Sequence, residues 1–125
     1  MIFDDMEGVV LFASHSMTNV LGLLILKNSV SELENFSIES VVSILTLETL
    51  FGLFLYVTAF VISLIILNKF PLSVAVSIML PLSLITSTFM GYIILDENIS
   101  IKTIVGIFFI FVGIFFIYLE IPKVA

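Results

Sequence analysis

The residues best equipped for chemistry are few, and they sit in an otherwise apolar chain. His15 and Asn19 are four residues apart and Gly22 follows three later, with Thr18 alongside, so a helix gathers all four on one polar stripe. A histidine at bilayer depth is costly unless it faces protein or water, which leaves two readings of the stripe. It either contacts a substrate or fastens helices through hydrogen bonds. Glu48 can pair with an ion or proton if its helix begins near Val41, and lies among lipid headgroups if the helix begins at Glu48 itself. Ser73 and Ser77 stand one turn apart ahead of Pro81, whose ring removes the backbone bond to the Ser77 carbonyl. A kink is expected there, serving as a hinge or as a passive bend. Gly106 and Gly113, seven apart, share a face on which another helix can approach closely, within one copy or between two.

These residues do not compose a catalytic site. His15 is the only histidine, cysteine is absent, and no nucleophile has a base at motif spacing, so neither an enzyme nor a cofactor or metal centre is expected. With four Lys, no Arg and a net charge of −6, the chain lacks the basic surface that nucleic acid requires.

The elements that must position these residues follow from hydropathy. Of 125 residues, 61% are hydrophobic and 11% charged, and the mean hydropathy is +1.34. Soluble domains carry about 25% charged residues. Charges fall in clusters that separate intervals long enough to span a bilayer core, which takes roughly 20 apolar residues. The predicted fold class is all-α and integral to the membrane, with four transmembrane helices in a single domain over residues 1–125. The helices are expected over about 8–27, 43–68, 71–95 and 101–120. The first is read as a mature span, because its apolar run exceeds a signal-peptide core and no small-residue cleavage pattern follows it. The last uncharged run, Thr103 to Leu119, is short, so Lys102 is expected to snorkel. The polar segment from Asn28 to Ser40 is the one place for a longer loop.

Connections are otherwise tight. Asn68-Lys69-Phe70-Pro71 joins the second and third helices, with Pro71 suited to a first helical turn, and Ser100 is placed to cap the fourth helix. Lys69 and Lys123 fall on one side of the membrane, Lys27 and Lys102 on the other. A tied lysine count leaves insertion direction undecided and permits both orientations.

Several of these segments, taken in order, resemble the drug/metabolite transporter superfamily, specifically its four-helix branch containing the small multidrug resistance proteins and related to EamA-type domains. The resemblance runs from about Val9 to Tyr118. Phe70-Pro71-Leu72-Ser73-Val74-Ala75 is similar to the family's Pro-x-x-x-Ala entry to helix three, and Pro81 to a helix-three proline. Leu95-Asp96-Glu97-Asn98-Ile99-Ser100 resembles a Leu-Gly-Glu-x-Ile-Ser turn with Asp96 in place of Gly, and Gly106 and Gly113 match paired glycines of the last helix. Asn19 stands where proton-coupled members carry a glutamate, and Val76 and Met79 stand where they carry binding-site aromatics.

The resemblance therefore implies a transporter of a small or amphiphilic metabolite in the cytoplasmic (inner) membrane, without proton-coupled exchange of aromatic cations. It also brings into view the paired subunits that flip a lipid-linked sugar. Under either implication His15, Thr18, Asn19, Ser77 and Met79 are the expected substrate contacts. Glu48 is a possible ion-pairing group, and Gly22, Gly106 and Gly113 are packing positions. Four helices enclose little volume, so the expected working unit is a homodimer, for which antiparallel assembly fits the tied lysine count, or a heterodimer with a paralogue. A non-transporting accessory subunit of a larger membrane complex is the alternative of a different class.

Overall fold

The computed structural model describes residues 2–31, 33 and 35–120, so Lys123 and its part in the lysine count lie outside it. The chain is an all-α, four-helix membrane protein. Five helices follow in order: α1 (Ile2–Val30), α2 (Ile38–Ser43), α3 (Leu47–Lys69), α4 (Leu72–Leu95) and α5 (Ile101–Glu120). All except α2 are long and apolar enough to cross a membrane.

Three helix starts differ from the sequence reading, two of them for a visible local reason. The first helix already runs from Ile2, six residues ahead of the expected start. The second span begins at Leu47 rather than near residue 43, because Thr46 is extended and its hydroxyl accepts the Thr49 N–H at 3.3 Å. The apolar residues before it belong to the separate helix α2. Pro71 is the cap of α4 rather than part of its first turn; it is extended (ψ 143°), and its carbonyl accepts the Ala75 N–H at 2.9 Å. Ser100 accepts the Thr103 N–H on its side chain (3.2 Å) at the start of α5, and α4 passes through Pro81 as one helix.

Helix α1 is the centre of the bundle, packing on α3 and on α4, whereas α5 packs on α4 alone. On the α1–α3 seam the backbones nearly touch. A Cβ on Gly22 would lie 2.9 Å from both the Gly52 carbonyl oxygen and the Tyr56 nitrogen. In lipid, where apolar surface gains nothing by leaving solvent, this closeness is the main source of helix association. Toward the other end Phe12, Ile66, Ala75, Ile78 and Met79 form the buried cluster, and the Phe12 and Phe70 rings stack at 5.2 Å. Between α1 and α4, Ser16 is buried and its hydroxyl meets Thr86 Oγ1 at 2.6 Å.

Among the described residues, each end of the bundle carries one ion pair. Lys69 at the end of α3 donates to Glu7 of α1 at 2.7 Å. At the opposite end Lys27 of α1 pairs with Glu97 in the α4–α5 connection. Both pairs are substantially exposed and add little stability on their own.

Candidate functional site

A cleft of about 380 Å³ opens at the Lys27 end, between the second half of α1, the second half of α4 and the turn into α5. Its walls are apolar, with Val20, Leu23 and Leu24 from α1 and Leu95 and Ile99 opposite. Its polar groups are Lys27, Ser87, Thr88, Glu97, Asn98 and Thr103. Val20, Leu23, Leu24 and Lys27 follow the i, i+3, i+4, i+7 spacing of one helix face, so α1 presents a greasy strip ending in a cation.

The turn that closes the cleft is built around Gly91 and Asp96. Asp96 adopts a left-handed conformation (φ 50°), and both its N–H and that of Glu97 (3.2 Å) donate to the Gly91 carbonyl. Left-handed backbone favours glycine and next tolerates Asp or Asn, whose short polar side chains relieve the strain locally. The turn carries Glu97 back over α4, where its carboxylate rests on the bare Cα of Gly91. A Cβ at that position would sit 2.6 Å from Glu97 Oε2. Gly91 therefore both anchors the turn and makes room for the carboxylate that reaches Lys27. The result is an open cleft whose lining is about evenly divided between polar and apolar surface and includes one charge of each sign, which can meet both parts of an amphiphile.

The residues singled out from the sequence lie elsewhere. Round α1, the stripe of His15, Thr18, Asn19 and Gly22 is roughly 140°, about two-fifths of a turn, from the cleft-lining strip, and Gly22 turns that stripe toward α3. His15 is half-buried, with Nδ1 enclosed and without a hydrogen-bond partner among the described residues. Thr18 donates back to the Ser14 carbonyl at 2.6 Å, a bond within its own helix. Asn19, Ser77 and Pro81 are half-buried and none lines the cleft. Met79 is buried in the core cluster, 7% exposed, and does not line the cleft. Glu48 is exposed in the first turn of α3, the headgroup alternative of the two left open for it. Gly22 packs within the chain, whereas a Cβ on Gly106 or Gly113 would meet no atom within 4 Å. Among the described residues, then, no helix of this chain uses that glycine face.

Sequence reasoning missed Ser16, Thr86 and Gly52 as contact residues and Lys27 with Glu97 as a pair. Lys27 and Glu97 are 70 residues apart, and only the packing of α4 parallel to α1, after α3 has returned the chain, brings them together. The Val20-to-Lys27 face was the one available signal. Compared with protein-family models, curated proteins and solved structures, the chain matches none.

Proposed function

We propose that this chain is a subunit of a membrane transporter that moves a small or amphiphilic molecule, with the cleft at the Lys27 end as its entry site. The cleft is the observation that carries the reading. It joins an apolar wall, open enough for a chain or ring, to a Lys27–Glu97 pair able to hold a polar head. The resemblance to four-helix transporters agrees in kind. Asn19, which cannot titrate, argues against proton exchange at that position.

A second copy or a paralogue completes the pathway in this reading, because four spans enclose little volume for one. The unused glycine face of α5 favours such a partner, and equally favours a larger complex in which the chain is an accessory.

The test is reconstitution of the full chain in vesicles containing headgroup-labelled phospholipid, with a membrane-impermeant quencher added outside. Wild type is expected to expose inner-leaflet label faster than protein-free vesicles. Leu24→Trp, which fills the cleft, and Lys27→Ala are expected to slow exposure several-fold. If wild type moves neither labelled lipid nor any of a panel of small amphiphiles, transport by this chain alone is refuted and the accessory reading takes its place.

A further inference from the structure

The connection between the first two spans contains a helix that the bundle does not use. Ser37 starts it, extended (φ −123°), with its Oγ accepting the Ser40 N–H at 3.1 Å. At about 100° per residue, Ile38, Val41 and Val42 of α2 fall within about 100° of arc. Glu39, Ser40 and Ser43 fill the opposite side. No residue of α2 is buried, and α2 packs against no other helix. Its apolar side is bare, with Ile38 86% and Val42 60% exposed, and the adjoining Phe36 is 90% exposed.

The depth of this segment is set by the spans on either side. Thr49, in the first turn of α3, shares its hydroxyl proton between Ser29 Oγ at the end of α1 (2.9 Å) and the carbonyl of Ile44, the residue that closes α2. The latch holds the end of α2 against the two helix ends where they leave the bilayer. The neighbouring spans also carry exposed apolar side chains close in sequence to this segment, Val30 on α1 and Leu47, Leu50 and Phe51 on α3.

We propose that α2 lies in the plane of the membrane surface, with Phe36, Ile38, Val41, Val42 and Leu45 immersed among headgroups and upper acyl chains and Glu39 and Ser43 facing water. The occupant of the bare face is lipid. No Lys or Arg occurs from Asn28 to Asn68, and Glu39 lies on the helix itself, so attachment comes from apolar insertion and not from attraction to anionic headgroups. The segment is an in-plane collar that fixes the height of the α1 and α3 ends, and it holds irrespective of what the chain transports.

The chain contains no Trp, so a single introduced Trp reports alone. Full-length Ile38→Trp, Val42→Trp and Ser43→Trp are reconstituted in phosphatidylcholine vesicles with or without brominated acyl chains, with Phe111→Trp as a reference on the exposed surface of α5. Trp at 38 and 42 is expected to emit to the blue of Trp at 43 and to be quenched by brominated lipid. Trp at 43 is expected to be quenched by aqueous acrylamide, and adding anionic lipid is expected to change neither. Acrylamide quenching of positions 38 and 42 as strong as that of 43 overturns the proposal, because it places both faces in water. Shielding of 38 and 42 from acrylamide and from brominated lipid alike also overturns it, because protein then covers the face.

Discussion

Replacing Gly22 by Ala tests whether backbone contact between α1 and α3 holds the bundle. The new Cβ lies 2.9 Å from the Gly52 carbonyl oxygen and from the Tyr56 nitrogen, and ordinary contact begins at 3.4 Å, so the two helices must part by 3.4 − 2.9 = 0.5 Å. Both obstructing atoms are backbone and cannot swing aside. A gap of 0.5–1 Å forfeits about a quarter to a half of the attraction between atoms that had been in contact, and overpacking of this kind costs about 1–3 kcal/mol. Against that, Ala is a better helix former than Gly by up to about 1 kcal/mol. With overpacking near the middle of its range, about 2 kcal/mol, and the helix-preference gain near its maximum, the expected net loss is about 1 kcal/mol. Gly106→Ala and Gly113→Ala are the controls: neither Cβ meets an atom, so only helix preference acts, and monomer stability is expected to hold or to rise by up to about 1 kcal/mol. The assay is reversible unfolding in mixed micelles by titration with denaturing detergent, followed by circular dichroism at a dilution that keeps the chain monomeric. Gly22→Ala as stable as wild type, or Gly106→Ala weakened as much as Gly22→Ala, refutes the packing argument.

Three further outcomes are expected. Ser16→Ala and Thr86→Val each remove one partner of the buried α1–α4 hydroxyl contact, and a double-mutant cycle in the same micelles is expected to give a coupling of about 0.6–2 kcal/mol; zero coupling means that the contact contributes nothing. Met79→Ala is expected to destabilise the fold, by less than the roughly 2–5 kcal/mol of a core truncation in water, because in lipid only the packing contacts are lost. A stable Met79→Ala that nonetheless loses transport would return Met79 to the substrate site. Asp96→Gly relieves a left-handed residue and is expected to raise stability by up to about 1 kcal/mol on the same titration, without loss of the Lys27–Glu97 pair.

The four spans were legible because hydropathy acts locally: a run of apolar residues bounded by charge has one low-energy place in a bilayer. The division between α2 and α3 was less legible, since Val41 to Leu47 is uncharged and mostly apolar and merges with the span. Ser37 and Thr46, each accepting a backbone N–H three residues on, were the visible marks of two helix starts. Glu48 shows the consequence, because moving the start of α3 by a few residues carries a carboxylate from the hydrocarbon to its edge.

Candidate sites were less legible, for a geometric reason. The stripe of His15, Thr18 and Asn19 is the most polar face of α1, and polarity in an apolar helix naturally draws the eye. Gly22 on the same stripe instead turns it toward α3, and the adjoining face, ending in Lys27, lines the cleft. Which face of a nearly all-apolar helix meets a neighbour depends on close fits such as that of Gly22 on Gly52, and single-residue types do not announce a partner thirty residues away. The sequence by itself determined that the chain lives in lipid, how many times it crosses, where its tight connections fall, and that it lacks cysteine and basic surface. Only the tertiary structure decided that α1 is central, that α5 stands at the edge with its glycines unused, and that Lys27 meets Glu97. Those are relations between faces of different helices. In lipid they are set by shape complementarity over the whole contact and not by the hydropathy that a linear sequence displays.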